Sequence, residues 1–145
     1  MVPKLALLFV AIITAHAEFL RVEVTMKDMD CVSCSDSLAK AFERLRGVKR
    51  VDVSMKDGTV TLALADQNRV TLEQVWDAVK RIGFTPGETK VTVRGSVKGD
   101  DLTISVIDKT IKIEGHVPPG GAELRGTITP PPDPRTPLKL RVAEN

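Results

Sequence analysis

Between residues 18 and 94 the hydrophobic period of this chain switches repeatedly between two and about 3.6, and that alternation restricts its possible folds more than any other feature. Phe19 to Met26 sets Val22, Val24 and Met26 on one side with Glu23 and Thr25 between them, which predicts a half-buried strand. From Ser33 the period becomes helical: Leu38, Phe42 and Leu45 recur with Ala41 beside them, and Gly47 stands where a helix would stop. Val48, Val51, Val53 and Met55 then lead into Lys56-Asp57-Gly58, with Val60, Leu62 and Leu64 alternating beyond it, the pattern of a β-hairpin. Thr71 with Gln74 three residues later forms a capping box. It opens a second helix whose stripe is Leu72, Val75, Trp76, Val79 and Ile82, closed by Gly83. Phe84 begins a last segment in which Val91 and Val93 alternate with polar residues.

The order β-α-β-β-α-β predicts an α+β fold of the ferredoxin-like kind, a four-stranded antiparallel sheet carrying both helices on one face. Residues 95–145 have a different character. Beyond Gly87 there is no Cys, Met or aromatic residue, and seven of the nine prolines fall between Pro118 and Pro137. Short alternating runs over 90–97, 102–107, 111–117, 124–128 and 138–142 are separated by Gly-, Asp- and Pro-rich turns. They predict a small all-β appendage, a barrel or sandwich whose first strand continues the last strand of the preceding unit. Pro130-Pro131-Pro132-Asp133-Pro134 reads as a stiff extended connector or the start of a disordered tail, and strand-like Leu138, Leu140 and Val142 beyond it favour the connector.

The first seventeen residues are expected to lie outside the fold. Lys4 supplies a positive start, Leu5 to Ile13 is an unbroken apolar run, and Ala15-His16-Ala17 places small residues where a signal peptidase reads them. That run is about half of the ~20 residues a membrane-spanning helix requires, so the reading is a cleaved leader and a periplasmic or secreted protein beginning near Glu18, with no membrane span in the mature chain. Three segments follow: a leader over 1–17, a ferredoxin-like domain over 18–94 and a β-rich extension over 95–145.

Charge narrows the partners. Twenty-one basic residues face nineteen acidic ones, the two signs are interspersed, and there is no Tyr and a single Trp, so neither an electrostatic footprint nor a stacking platform for nucleic acid is present. Two cysteines are too few for a disulfide-dense scaffold, yet Cys31 and Cys34 fall within four residues and form one local unit. They lie where the first strand gives way to the first helix, beside the positive end of its dipole, which favours thiolate. Two thiolates at this spacing converge on one soft or borderline ion, Zn(II), Cd(II), Cu(I) or Hg(II), and leave open positions suited to ligand exchange.

Met29-Asp30-Cys31-Val32-Ser33-Cys34, set between strand and helix of this pattern, resembles the heavy-metal-associated domain of copper chaperones, periplasmic mercury-binding proteins and metal-exporting ATPases. The resemblance covers about residues 19–94. It implies that the two cysteines bind the metal, that Met29 packs beneath the loop and that Gly83-Phe84 lies near the site; transfer partners would be a membrane metal transporter or another metal-binding domain. Asp28 stands where the family usually has Gly. Asp30 replaces the Thr usual in copper-handling members and resembles the branch handling zinc, cadmium and lead, in which that Asp adds an oxygen ligand; the alternative role is a hydrogen-bond acceptor at the helix start. The metal set the resemblance implies is Cys31 and Cys34, with Asp30 added on the first of these roles. His116 reads as an exposed loop residue.

A non-enzymatic metal-binding and metal-transfer protein is the leading expectation. A thiol–disulfide oxidoreductase is the enzymatic alternative, since an exported C-x-x-C at a helix start fits that chemistry. A docking module with a passive local disulfide is the third reading.

Overall fold

A computed structural model describes residues 17–27, 31–118 and 123–144. Two helices, α1 (Val32–Glu43) and α2 (Leu72–Ile82), alternate with β1 (Glu18–Met26), β2 (Val48–Ser54), β3 (Thr59–Leu64) and β4 (Pro86–Arg94). These four strands lie in the order β2-β3-β1-β4, every neighbouring pair antiparallel. The ferredoxin-like arrangement is thus present. Val22, Val24, Val60, Leu62, Val91 and Val93 point one way from the sheet and are buried with Leu38 and Phe42 of α1 and Leu72, Val75, Trp76 and Val79 of α2.

The local signals hold with two adjustments. Thr71 accepts the N–H of Gln74 while the Gln74 side chain accepts the N–H of Thr71, and Gly83 ends α2 in the left-handed region at φ 104°. The first helix, by contrast, stops at Glu43; Leu45 lies in the following turn, half-buried, and Gly47 at φ 100° completes that turn rather than capping the helix.

Beyond β4 come β5 (Ser96–Lys98), β6 (Asp101–Ile104), β7 (Lys109–Glu114), β8 (Glu123–Ile128) and β9 (Lys139–Val142). The run over 102–107 is a strand only to Ile104; Ser105–Ile107 is a 3-10 turn ending on Asp108 at φ 50°. All five strands belong to the same sheet, which continues β4-β8-β9-β7-β6-β5. Among the described residues only β7 and β9 pair in parallel.

One residue decides the shape of this extension. Gly95 alone separates β4 from β5, yet by hydrogen bonding β5 is the strand farthest from β4. Both hold only if the part of the sheet from β4 to β5 curls back on itself, so β4 and β5 are two halves of one bent strand closing a barrel. The bend is tight: a Cβ at Gly95 would stand 2.7 Å from the carbonyl oxygen of Thr103. Leu102, Ile104, Ile111, Leu124, Ile128 and Leu140 fill the interior and join the core beneath α1 and α2. Lys109 at the head of β7 meets Glu73 of α2 at 2.7 Å, tying the extension to the helical layer.

Candidate metal centre

Cys31 is the N-cap of α1. Its backbone is extended, at φ −112° and ψ 124°, and its sulfur accepts the backbone N–H of Cys34 at 3.1 Å. The helix can therefore begin at Val32 although no Ser, Thr, Asp or Asn occupies the cap; sulfur takes the place of the usual side-chain oxygen. The Ser33 hydroxyl lies 3.4 Å from the same sulfur. Sequence reasoning placed both cysteines at the helix start but missed this capping role, because cysteine is absent from the usual cap signature.

The cysteines are brought together as a Cys31–Cys34 disulfide with Cα atoms 5.3 Å apart. Both are half-buried, and Val32 between them is 74% exposed. The pair thus sits at the surface beside the positive end of the helix dipole, with no acidic side chain in the first turn. Both sulfurs belong to one turn at the surface, a placement from which reduced thiols could reach a single ion.

The surroundings are set by three chain reversals at one end of the sheet. Met26, the last residue of β1, donates its N–H to the Gly58 carbonyl at 2.7 Å, which brings the β2–β3 turn alongside. Met26 also pairs with Pro86 at the head of β4, so the 83–86 connection lies at the same end. There Phe84 is half-buried against the core, its N–H bonded to the Val79 carbonyl at 3.2 Å. Asp28, Met29 and Asp30 lie outside the described residues, as do residues 1–16. His116 is exposed, and among the described residues no group of three or more metal-ligating side chains comes together.

The heavy-metal-associated domain profile matches residues 23–85, which run from the middle of β1 to the residue before β4 and enclose the cysteine pair. An uncharacterized protein of Haemophilus influenzae is 36% identical over 76 residues, covering 52% of this chain and 80% of that relative. The chain belongs to the heavy-metal-associated domain family. Among solved structures, a CopZ metallochaperone is similar at 24% identity with a TM-score of 0.43, covering 46% of this chain and 97% of its own. Oxidized MerP from Ralstonia metallidurans CH34 matches at 20% identity and a TM-score of 0.42, covering 47% and 93%. The match ends one residue before β4, yet β4 completes the four-stranded sheet by pairing with β1 and carries the extension by pairing with β8.

Proposed function

We propose that this protein captures a soft or borderline metal ion through the thiolates of Cys31 and Cys34 and hands it on by ligand exchange, in a periplasmic or secreted compartment reached through the leader over residues 1–17. The observation that carries the reading is the placement of both sulfurs on the exposed first turn of α1 in a heavy-metal-associated domain. Binding requires the disulfide to be opened first, which takes two electrons and two protons from a dithiol donor and leaves that donor as the disulfide. Each thiol then loses its proton as it binds the ion. With two protein sulfurs at an open site, an incoming thiolate attaches before an outgoing one leaves, so the ion need never be free in water.

Asp30 is the proposed third ligand. A carboxylate beside two thiolates suits Zn(II) or Cd(II), which accept mixed sulfur and oxygen donors, more than Cu(I), which two sulfurs satisfy. Competition titration of reduced full-length protein with Zn(II) and Cu(I) tests this. Asp30→Thr is expected to weaken Zn(II) more than Cu(I), and equal effects on both remove Asp30 from the ligand set. Transfer partners are a membrane metal transporter or another metal-binding domain.

The closed Cys31–Cys34 disulfide favours a second reading, a thiol–disulfide oxidoreductase. Insulin-reduction activity that disappears in Cys34→Ser would promote it. Catalysis of that kind absent from protein that binds one equivalent of metal leaves the first reading standing.

A further inference from the structure

The side chain of Glu18 is 1% exposed, at the first position of β1. One carboxylate oxygen, Oε2, accepts the Asn68 backbone N–H at 3.1 Å. The other, Oε1, is buried and accepts no hydrogen bond among the described residues. Both amide hydrogens of Asn68 are already committed, to the carbonyls of Phe19 at 2.9 Å and Ala65 at 2.8 Å, so that side chain has nothing left to offer. From β4, the Arg94 guanidinium stands 3.9 Å from Oε1, beyond hydrogen-bond reach, and from β8 Glu123 draws on the same guanidinium at 3.9 Å. A buried carboxylate left half-satisfied is costly and calls for another cationic donor.

The sequence holds a source for one. Ala15-His16-Ala17 ends where Glu18 begins. Hydrolysis of the Ala17–Glu18 peptide bond consumes one water, leaves the new carboxylate on the departing leader and creates an α-amino group on Glu18 that is protonated at neutral pH. By covalent geometry that nitrogen lies within about 5–6 Å of the Glu18 carboxylate in any rotamer. As an ammonium it carries three donors where the peptide had one, so it can serve the strand ladder and the carboxylate together.

We propose that the working protein begins at Glu18 and that the ammonium freed there is the missing partner of the Glu18 carboxylate. The cut precedes folding, because Ala17 is 9% exposed and Glu18 is paired with Arg94 across β1 and β4 once the sheet has formed. This rests on the leader in the function proposed above and is independent of the metal, so the two fail separately.

Two measurements test it. The full chain is exported from a bacterial host and its first residue determined by mass spectrometry; Glu18 is expected, and any other first residue overturns the proposal. Chains 18–145 and 17–145, which both contain every described strand and helix, are then released from a cleavable carrier, each with Glu18 and with Glu18→Gln. At pH 7 the chain starting at Glu18 is expected to melt about 3 °C higher than the one starting at Ala17. That advantage depends on the Glu18 carboxylate. It is absent in Glu18→Gln. Equal melting temperatures at pH 7, or an advantage that survives Glu18→Gln, overturn the proposal.

Discussion

The backbone N–H of Cys34 donates to the sulfur of Cys31 at 3.1 Å, so one atom serves both as the cap of α1 and as half of the candidate metal site. The two roles separate by substitution under reducing conditions. Cys31→Ser keeps a side-chain acceptor at the N-cap and Cys31→Ala removes it, a loss of about 1 kcal/mol. We expect Cys31→Ala to melt about 2–4 °C below Cys31→Ser, while both lose tight metal binding. Thermal melts of the two variants, followed by far-ultraviolet circular dichroism, check this; coincident melts contradict the capping role.

Gly95 meets the Thr103 carbonyl too closely for any side chain. Gly95→Ala is expected to cost about 1–3 kcal/mol, because backbone and not a flexible side chain has to give way. Gly95 lies at the opposite end of β4 from Pro86, which pairs with Met26 beside the cysteine loop. Metal affinity of the reduced protein should therefore stay within about twofold of wild type, within the error of additivity for distant sites. Chemical denaturation and a metal competition assay on the same variant read the two effects separately.

The indole N–H of Trp76 donates to the Thr89 hydroxyl at 2.9 Å, and that hydroxyl donates onward to the Gly87 carbonyl at 3.0 Å. Trp76→Phe removes the donor from a fully buried oxygen, so a loss of about 1–3 kcal/mol is expected. Pairing it with Thr89→Val in a double-mutant cycle should return part of that loss; strict additivity would show that the bond contributes nothing.

Asp133 organises the proline-rich loop. Its carboxylate accepts from the Thr136 hydroxyl at 2.8 Å and from the N–H groups of Arg135 and Thr136 at 2.8 Å and 3.1 Å. The Thr136 hydroxyl, followed by the Arg135 N–H, holds the carboxyl below its ordinary value of 3.8. A lowered folded value means the loop's order is fully present above pH 3.8 and is lost as the pH falls through the folded value. Amide chemical shifts of Arg135 and Thr136 should titrate together in that acid range in wild type and show no such step in Asp133→Asn.

Much of this architecture is legible from the order of residues, and what is not has a physical reason. Val22 and Val24, or Leu72 with Val75, Trp76 and Val79, declare strand and helix because burial on one face imposes a period. Ser105 to Ile107 does not, since Val106 continues the alternation of Leu102 and Ile104, and the left-handed Asp108 that ends the turn carries no apolar signal. The barrel closure depends on which distant strands pair, and no local pattern carries that; Gly95 marks the bend without saying what it bends toward. At the site, the cysteine spacing and its place between β1 and α1 are visible in the sequence. The sulfur cap is not, because capping statistics favour oxygen, and the buried Glu18 is not, because a glutamate beginning a strand ordinarily faces water.

The most direct test of the central claim is a titration of fully reduced full-length protein with Cd(II), followed by thiolate-to-metal charge-transfer absorption in the ultraviolet. If Cys31 and Cys34 hold one ion between them, the signal rises linearly and stops at one ion per chain, and it is absent from the Cys31→Ser, Cys34→Ser double variant. No saturable signal from reduced wild-type protein, or an equal signal from the double variant, would contradict it.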